Sequence, residues 1–299
     1  MKLDLSMVSV LLAAFAPAMA FFLAISWDRR QRKQIEKLPQ AEKLLRPPGY
    51  SLSTRLDKTI ESVLDRVLIA SALSALASLG VITLASLLGA RASAFYVTAC
   101  LLAVLPFVVG AVWVVLRAFY LFKEAQNIRL GLRGEQAVAE VLNEAAESGF
   151  RAFHDLQTDK VGNLDHVAVG TRGVFLIETK ARRKRGAGNG QAAHEVCYDG
   201  EALQFPQSRE TKPIEQAKRN AAWLSDFLRK ETGEPVEVFP LVVLPGWFVK
   251  KSERGNFRVE VMAAKFLPGF LARQAEKIQP AQARRIINAL DKKCRDMEF

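Results

Sequence analysis

Apolar positions gather in three long runs at the front of the chain and in short alternating or helical patterns behind them. Residues 7–26, 67–90 and 92–116 are uncharged over 20, 24 and 25 residues. A hydrocarbon core about 30 Å thick needs about 20 helical residues, so each run predicts a membrane-spanning helix. Arg91 alone separates the second run from the third, which makes residues 67–116 a helical hairpin. The first span, within residues 1–27, competes with a signal peptide, because Lys2, an apolar stretch and Ala18-Met19-Ala20 fit a cleavable leader. The run continues past that point to Trp27, an aromatic suited to the interface, and an uncleaved anchor is the favoured reading.

Behind the spans the periods shorten. Residues 117–129 read as a linker helix, and Gly131-Leu132-Arg133-Gly134-Glu135 opens a second helix in which Glu135 recurs with Val138 and Leu142 on the apolar face. Residues 150–155 predict a strand, and residues 163–180, NLDHVAVGTRGVFLIETK, predict a hairpin. Residues 198–211 show little periodicity and read as a long loop. A helix follows with Pro213 in its first turn, an apolar stripe of Ala217, Ala221, Leu224 and Leu228, and an adjoining face of Gln216, Asn220, Trp223 and Phe227. Residues 236–244 are β-like, with Phe239-Pro240 typical of an edge or bulge. A strand over 257–262 and two short helices punctuated by Pro268 and Pro280 complete the soluble part through residues 246–299. This order predicts an α/β domain, a mixed sheet flanked by helices, behind an N-terminal transmembrane helical region.

The hairpin sets the candidate chemistry. With a two-residue loop Gly170 faces Gly173, and counting back puts Asp165 opposite Glu178; a four-residue loop gives the same pairing, whereas a three-residue loop moves Glu178 to the other face. Lys180 shares its side of the strand with Glu178. Two carboxylates held together need a cation, and Mg²⁺ takes one or two carboxylates plus waters and phosphate oxygens. The same residues also suit the solvated polar end of an ordinary hairpin, with Lys180 as the ion-pair partner. Glu135, on an apolar helix face, needs a cation, a metal or backbone donors, or else serves the helix dipole in its first turn.

Charge orients the chain. The net charge is +11, and residues 28–66 hold ten basic and six acidic residues, with Arg29, Arg30, Arg32 and Lys33 directly behind the first span. Basic residues collect on the cytoplasmic side, so this segment is expected inside, the N-terminus and Arg91 outside, and everything after residue 116 inside: a multi-pass integral membrane protein with a cytoplasmic soluble domain. Arg46-Pro47-Pro48-Gly49 divides the basic segment, with helix expected on either side. The segment determines topology or touches anionic headgroups. Residues 117–299 carry 30 Lys or Arg against 24 Asp or Glu, a basic excess compatible with a polyanionic partner. Four consecutive basic residues, Arg182, Arg183, Lys184 and Arg185, stand in a glycine-rich loop two residues behind Lys180, where phosphate contact is expected to be non-specific and salt-sensitive. Cys100, Cys197 and Cys294 have no CxxC spacing, and His154, His166 and His194 are dispersed, so neither a disulfide framework nor a zinc motif is present in sequence.

Four pieces in order carry a resemblance: Arg133-Gly134-Glu135 opening a helix, Asn163-x-Asp165-His166 on one strand, Gly173 to Lys180 on the next, and Gln216-Ala217-x-x-Asn220 on a later helix. Together they resemble the nuclease-related domain, NERD, over about residues 130–245, a family similar to the PD-(D/E)xK restriction-endonuclease-like superfamily. The resemblance implies a restriction-endonuclease-like sheet in which Asp165, Glu178 and the Thr179 carbonyl bind Mg²⁺ or Mn²⁺, Lys180 orients or deprotonates the attacking water, and Glu135 and Gln216 are companion site residues. Leu164 stands where the superfamily name has proline. The function it implies is metal-dependent phosphodiester hydrolysis of DNA or RNA by a membrane-anchored, cytoplasm-facing protein. The alternatives are an inactive nucleic-acid-binding or adaptor domain tethered to the membrane, and a cytoplasmic domain that binds another protein.

Overall fold

The computed structural model describes residues 44–88, 94–253 and 255–297. The expected first span at 1–27, the basic cluster at Arg29 to Lys33 and the turn at Arg91 lie outside them. The chain divides into two compact units, one with its described residues between Leu56 and Gln126, the other combining Ala41–Arg55 with Asn127–Glu298.

The first unit is built from two helices, α1 (Tyr50–Leu88) and α2 (Ala94–Ala145), each of which continues into the second unit. Both are long and apolar enough to cross a membrane, and only 11% of the most apolar window of each is buried. Val67, Ile69, Val109, Trp113 and Leu116 are among the exposed side chains. A core helix of a soluble protein would bury such residues instead. The expected break between a linker helix and a second helix near Gly131 is absent, because α2 runs uninterrupted through both glycines. A helical glycine costs about 1 kcal/mol and does not terminate a helix by itself. Gly134 is there for close approach, since a Cβ on it would come within 2.5 Å of the Ala181 Cβ.

The second unit contains a five-stranded mixed sheet in the order β10-β8-β4-β3-β2, formed by β2 (Arg151–Leu156), β3 (Leu164–Gly170), β4 (Gly173–Thr179), β8 (Val238–Val243) and β10 (Glu260–Met262). β2, β3 and β4 are antiparallel neighbours; β4 pairs β8 in parallel through the crossover helix α3 (Lys212–Thr232). Alternation along the strands feeds two cores. Val167, Val169, Val174 and Leu176 pack with Leu224 and Leu228 of α3 and with Ile286 and Leu290 of a C-terminal helix over Pro280–Cys294. Ala168, Phe175 and Ile177 pack with Val138 and Leu142 of α2 and with Leu267 and Leu271 of the short helix Leu267–Ala272. Pro240 lies inside β8, opposite Leu176, but β10 covers only Leu241–Val243 of that strand, so the proline has no second neighbour to supply with a hydrogen bond.

The expected loop over 198–211 instead forms part of a second mixed sheet. Strands β5 (Glu195–Tyr198), β6 (Leu203–Phe205), β7 (Ser208–Glu210) and β9 (Phe248–Lys251) take the order β7-β6-β5-β9. Three- and four-residue strands give too few alternations to stand out, yet Val196, Tyr198, Leu203 and Phe205 all face one core with Trp247. β9 had no counterpart in the predicted elements, and the strand expected over 257–262 shortens to Glu260–Met262.

Helix was expected on both sides of Pro47-Pro48. It follows them as α1, but Leu44–Leu45 form a strand, β1, that pairs β11 (Arg295–Met297). Arg46 is buried and contacts Asp155, its Nη1 lying 3.4 Å from Oδ2 and donating to the Asp155 carbonyl at 3.3 Å. The same Oδ2 accepts the Ser51 N–H at 2.8 Å and its hydroxyl at 2.6 Å, and Asn163 Nδ2 donates to Oδ1 at 3.0 Å. Asp155 does this at φ +50, a conformation that Asp and Asn tolerate better than most residues. Breaking a buried pair by removing one partner costs about 3–5 kcal/mol. Asp155→Ala is therefore expected to lower the unfolding midpoint of the detergent-solubilised protein strongly, and Asp155→Asn, which keeps acceptors and the tolerated φ, to lower it less. Equal midpoints for both variants and the wild type in a circular-dichroism melt would remove this account of the network.

Candidate functional site

Strands β3 and β4 form because each carries an unbroken apolar run, and they meet in the register counted from the two glycines: Gly170 opposite Gly173, Val167 opposite Leu176, His166 opposite Ile177. The next step along both strands brings Asp165 to Glu178. There the ladder gives way to side-chain chemistry, with the Thr179 N–H donating to Asp165 Oδ2 at 2.7 Å. Lys180 continues the pairing to β8 through its own N–H, which donates to the Val243 carbonyl at 2.9 Å.

Glu178 is buried against α3. Gln216 Nε2 donates to its Oε1 at 2.5 Å and Asn220 Nδ2 to its Oε2 at 3.2 Å. Four residues apart on a helix, the two amides lie one turn above the other and grip one carboxylate. Gln216 was expected here. Asn220 was not named as a site residue, although its spacing from Gln216 was the available signal; it is fully buried, and its Oδ1 has no hydrogen-bond partner.

The acids suppress one another's ionisation. Burial pushes Glu178 well above the usual carboxylate range, and Asp165 adds to the shift; the Asn220 hydrogen bond and Lys180 oppose it, while Glu135 reinforces it. Asp165 keeps part of its surface accessible, yet desolvation raises it to about 7 against the Thr179 hydrogen bond and Lys180, with Asp155 pushing it further up. Glu135, buried on α2, is raised to about 9, first by burial and then by the charges of Asp165 and Asp155. Three of the expected site residues are thus electrostatically joined, and the charge of Lys180 acts on two of them.

Among the described residues no group of three or more His, Cys, Asp or Glu is arranged to hold a metal ion. The set implied by the resemblance is smaller, two carboxylates and a backbone carbonyl. The chemistry of Asp165 and Glu178 fits a divalent cation in one respect, because both are short of compensating positive charge, and each carboxylate oxygen has a second lone pair beyond its present hydrogen bond. Of the four consecutive basic residues, Arg182 is engaged within the domain: it pairs with Glu210, donates to Ser208 Oγ at 2.9 Å and lies over the Phe205 ring. Arg183, Lys184 and Arg185 are exposed.

Two histidines dismissed as dispersed in sequence are directly opposite across β2 and β3, with Nδ1 atoms 2.8 Å apart. Burial lowers His154 to about 4 and, together with its neighbour, takes His166 well below the ordinary range, so both rings are neutral and one Nδ1 carries the shared proton. Their separation of twelve residues hid a pairing that only the β2–β3 register creates.

Asp165 at the start of β3, Glu178 at the end of β4 and Lys180 just beyond it thus lie at one edge of the mixed sheet, with Glu178 braced by a helical amide pair. Residues 130–245 match the family model of the nuclease-related domain, NERD, the same stretch in which the four motif pieces lie. No curated protein and no solved structure matches the chain.

Glu135 yields a test independent of activity. Unfolded, it releases its proton near 4.5; folded, it holds it to about 9, so between those values the folded state binds more protons and stability falls as pH rises. In the presence of a chelator, Glu135→Gln is expected to lose less stability than the wild type between pH 5 and pH 9, as read from urea unfolding. Parallel pH profiles would show that Glu135 is not held protonated by its surroundings.

Proposed function

We propose that the protein is a membrane-anchored nuclease whose NERD domain faces the cytoplasm and hydrolyses phosphodiester bonds of DNA or RNA with Mg²⁺ or Mn²⁺. The observation that carries this reading is Asp165 and Glu178 at one strand end with the charge of Lys180 acting on both, inside a nuclease-related domain. Asp165, Glu178 and the Thr179 carbonyl would hold the metal. When bound, the metal would polarise the phosphate and offset the negative charge that grows on its oxygens. Gln216 and Asn220 hold the Glu178 carboxylate in one orientation, and the Thr179 N–H does the same for Asp165. Lys180 orients the attacking water and takes up or returns its proton, while Glu135 supports the acid end of the site. Arg183, Lys184 and Arg185 meet the polyanion at the rim.

Support for the membrane anchor comes from α1 and α2, which are long and apolar enough to span, and for the cytoplasmic side from the basic residues ahead of α1. A second reading, a binding module without turnover, is favoured by the hydrogen bonds that already occupy both Glu178 oxygens.

The full-length protein is expected to cut labelled DNA or RNA only with Mg²⁺ or Mn²⁺. A positioned proton-transfer group contributes about 10²–10⁴-fold, so Lys180→Ala should lower the rate by that order, and Glu178→Ala should do at least as much. Undiminished cleavage by both variants removes the catalytic assignment; unchanged binding without any cleavage, in wild type and variants alike, selects the binding module. Alkaline carbonate should leave the protein in the membrane pellet, and its release into the supernatant would remove the anchor.

A further inference from the structure

An open hollow of about 160 Å³ lies where β4 begins, lined by Gly173, Val236, Glu237, Phe239, Lys277, Ile278 and Gln282. Glu178 is five residues further along β4, roughly 17 Å at the rise of a strand, so the hollow is separate from the acid cluster. One side of it is fixed. The Phe239 ring stacks on Phe175 at 5.4 Å, and the Lys277 ammonium lies 4.2 Å from the centroid of the Phe239 ring. Lys277 and Ile278 both donate their backbone N–H to the Thr171 carbonyl at 2.9 Å, which holds their segment to the β3–β4 turn. The ring contact steadies the ammonium and leaves its charge in place. Three of the lining residues are polar, and the protein satisfies none of their side chains: among the described residues Lys277 and Glu237 form no ion pair, with each other or with any other group, and the Gln282 amide makes no hydrogen bond. Nearby, by contrast, Glu234 pairs with Arg285 at 2.5 Å.

Size and charge together decide what such a hollow takes. A cavity of about 150 Å³ holds one benzene ring, whereas pockets for drug-sized molecules run to about 300–1,000 Å³, so the ligand is small. An ammonium and a carboxylate that share so short a span without pairing match a molecule that carries both charges on neighbouring atoms. A simple anion would meet repulsion from Glu237 and a simple amine from Lys277, while a peptide carries its terminal charges too far apart. Val236, Phe239 and Ile278 add an apolar wall. We infer that the hollow binds a free α-amino acid with a small apolar side chain, its carboxylate on Lys277 Nζ, its ammonium on the Glu237 carboxylate and its side chain against the apolar wall. The Gln282 amide supplies a further hydrogen bond to the ligand's polar end. This site goes beyond the nuclease reading and is independent of it, and two of its polar residues, Lys277 and Gln282, lie outside the matched stretch 130–245.

The test is isothermal titration calorimetry of the full-length protein in detergent with L-valine, which is expected to bind saturably, one molecule per chain. Lys277→Met keeps an apolar stem over Phe239 and removes the charge; Glu237→Gln keeps the shape of the side chain and removes its charge. Each is expected to weaken valine binding by about ten- to hundred-fold, the loss of one charged hydrogen bond. Both positions are exposed, so the fold does not rest on either side chain. Isovalerate, which lacks the ammonium, and isobutylamine, which lacks the carboxylate, are expected to bind more weakly than valine by the same order. Absence of valine binding at millimolar concentration, wild-type affinity in either variant, or an analogue that binds as tightly as valine overturns the amino-acid site. None of these outcomes involves the carboxylates at the other end of β4, so the nuclease reading stands or falls by its own cleavage assay.

Discussion

Three carboxylates buried beside one another at the end of a strand are the constraint around which this domain is arranged. Taking Glu135, Asp165 and Glu178 out of water disfavours their charged forms, and the charge of Asp165 makes ionisation of both Glu135 and Glu178 harder. The fold answers with neutral donors: a backbone N–H for Asp165, and two amides one helical turn apart for Glu178. Hydrogen bonds lower the cost of a carboxylate without supplying charge. Lys180 supplies one positive charge, and the acids remain above their ordinary range even so. An apolar strand end has no structural need for such a deficit, and perturbed carboxylates of this kind cluster at functional sites.

The support for this arrangement extends well beyond the matched stretch. Asp155 raises both Glu135 and Asp165, so its own charge has to be held where it is, and the donors that hold it, Arg46 and Ser51, come from just before α1 and from its first turn. Gly49 lets that segment lie close over α2: at φ +71, a Cβ on it would sit 2.4 Å from Leu132 and 3.5 Å from Glu135 Oε2. The other flank contributes as well, through β11 beside β1 and through Asp291 paired with Arg151 at 2.5 Å. The working unit is therefore discontinuous in sequence. Residues 41–55 belong to it, and a fragment starting at the family boundary would leave Asp155 without its cation.

What could be read in advance, and what could not, follows from the range of the interactions. The β3–β4 register was legible because loops of two or four residues give the same count, and the Gln216 position came with the family resemblance. Strands of three or four residues carry too little pattern, so β6, β7 and the end of β5 were hidden in an apparent loop. The continuity of α2 was missed because glycine was taken as punctuation, when Gly134 serves close packing. The His154–His166 pair and the Arg46–Asp155 contact depend on partners brought together by tertiary structure, 12 and 109 residues apart, and no local pattern announces either.

Charge runs mislead for a related reason. Four adjacent basic residues look equivalent in sequence, but Arg182 is bound to Glu210 and to the Phe205 face, whereas Arg183, Lys184 and Arg185 are exposed. What remains is a set of acids buried at the strand end and three exposed basic residues in the loop that follows it. A phosphodiester entering alone would be drawn to the rim and repelled by the acids; a cation entering alone would be drawn to the acids and repelled by the rim. On the reading proposed for this site, each ligand removes the repulsion felt by the other, so metal and nucleic acid should bind with positive coupling. On that reading the buried carboxylates would be more than a ligand set: uncompensated, they would resist a polyanion, and their demand for positive charge would make productive binding depend on the metal.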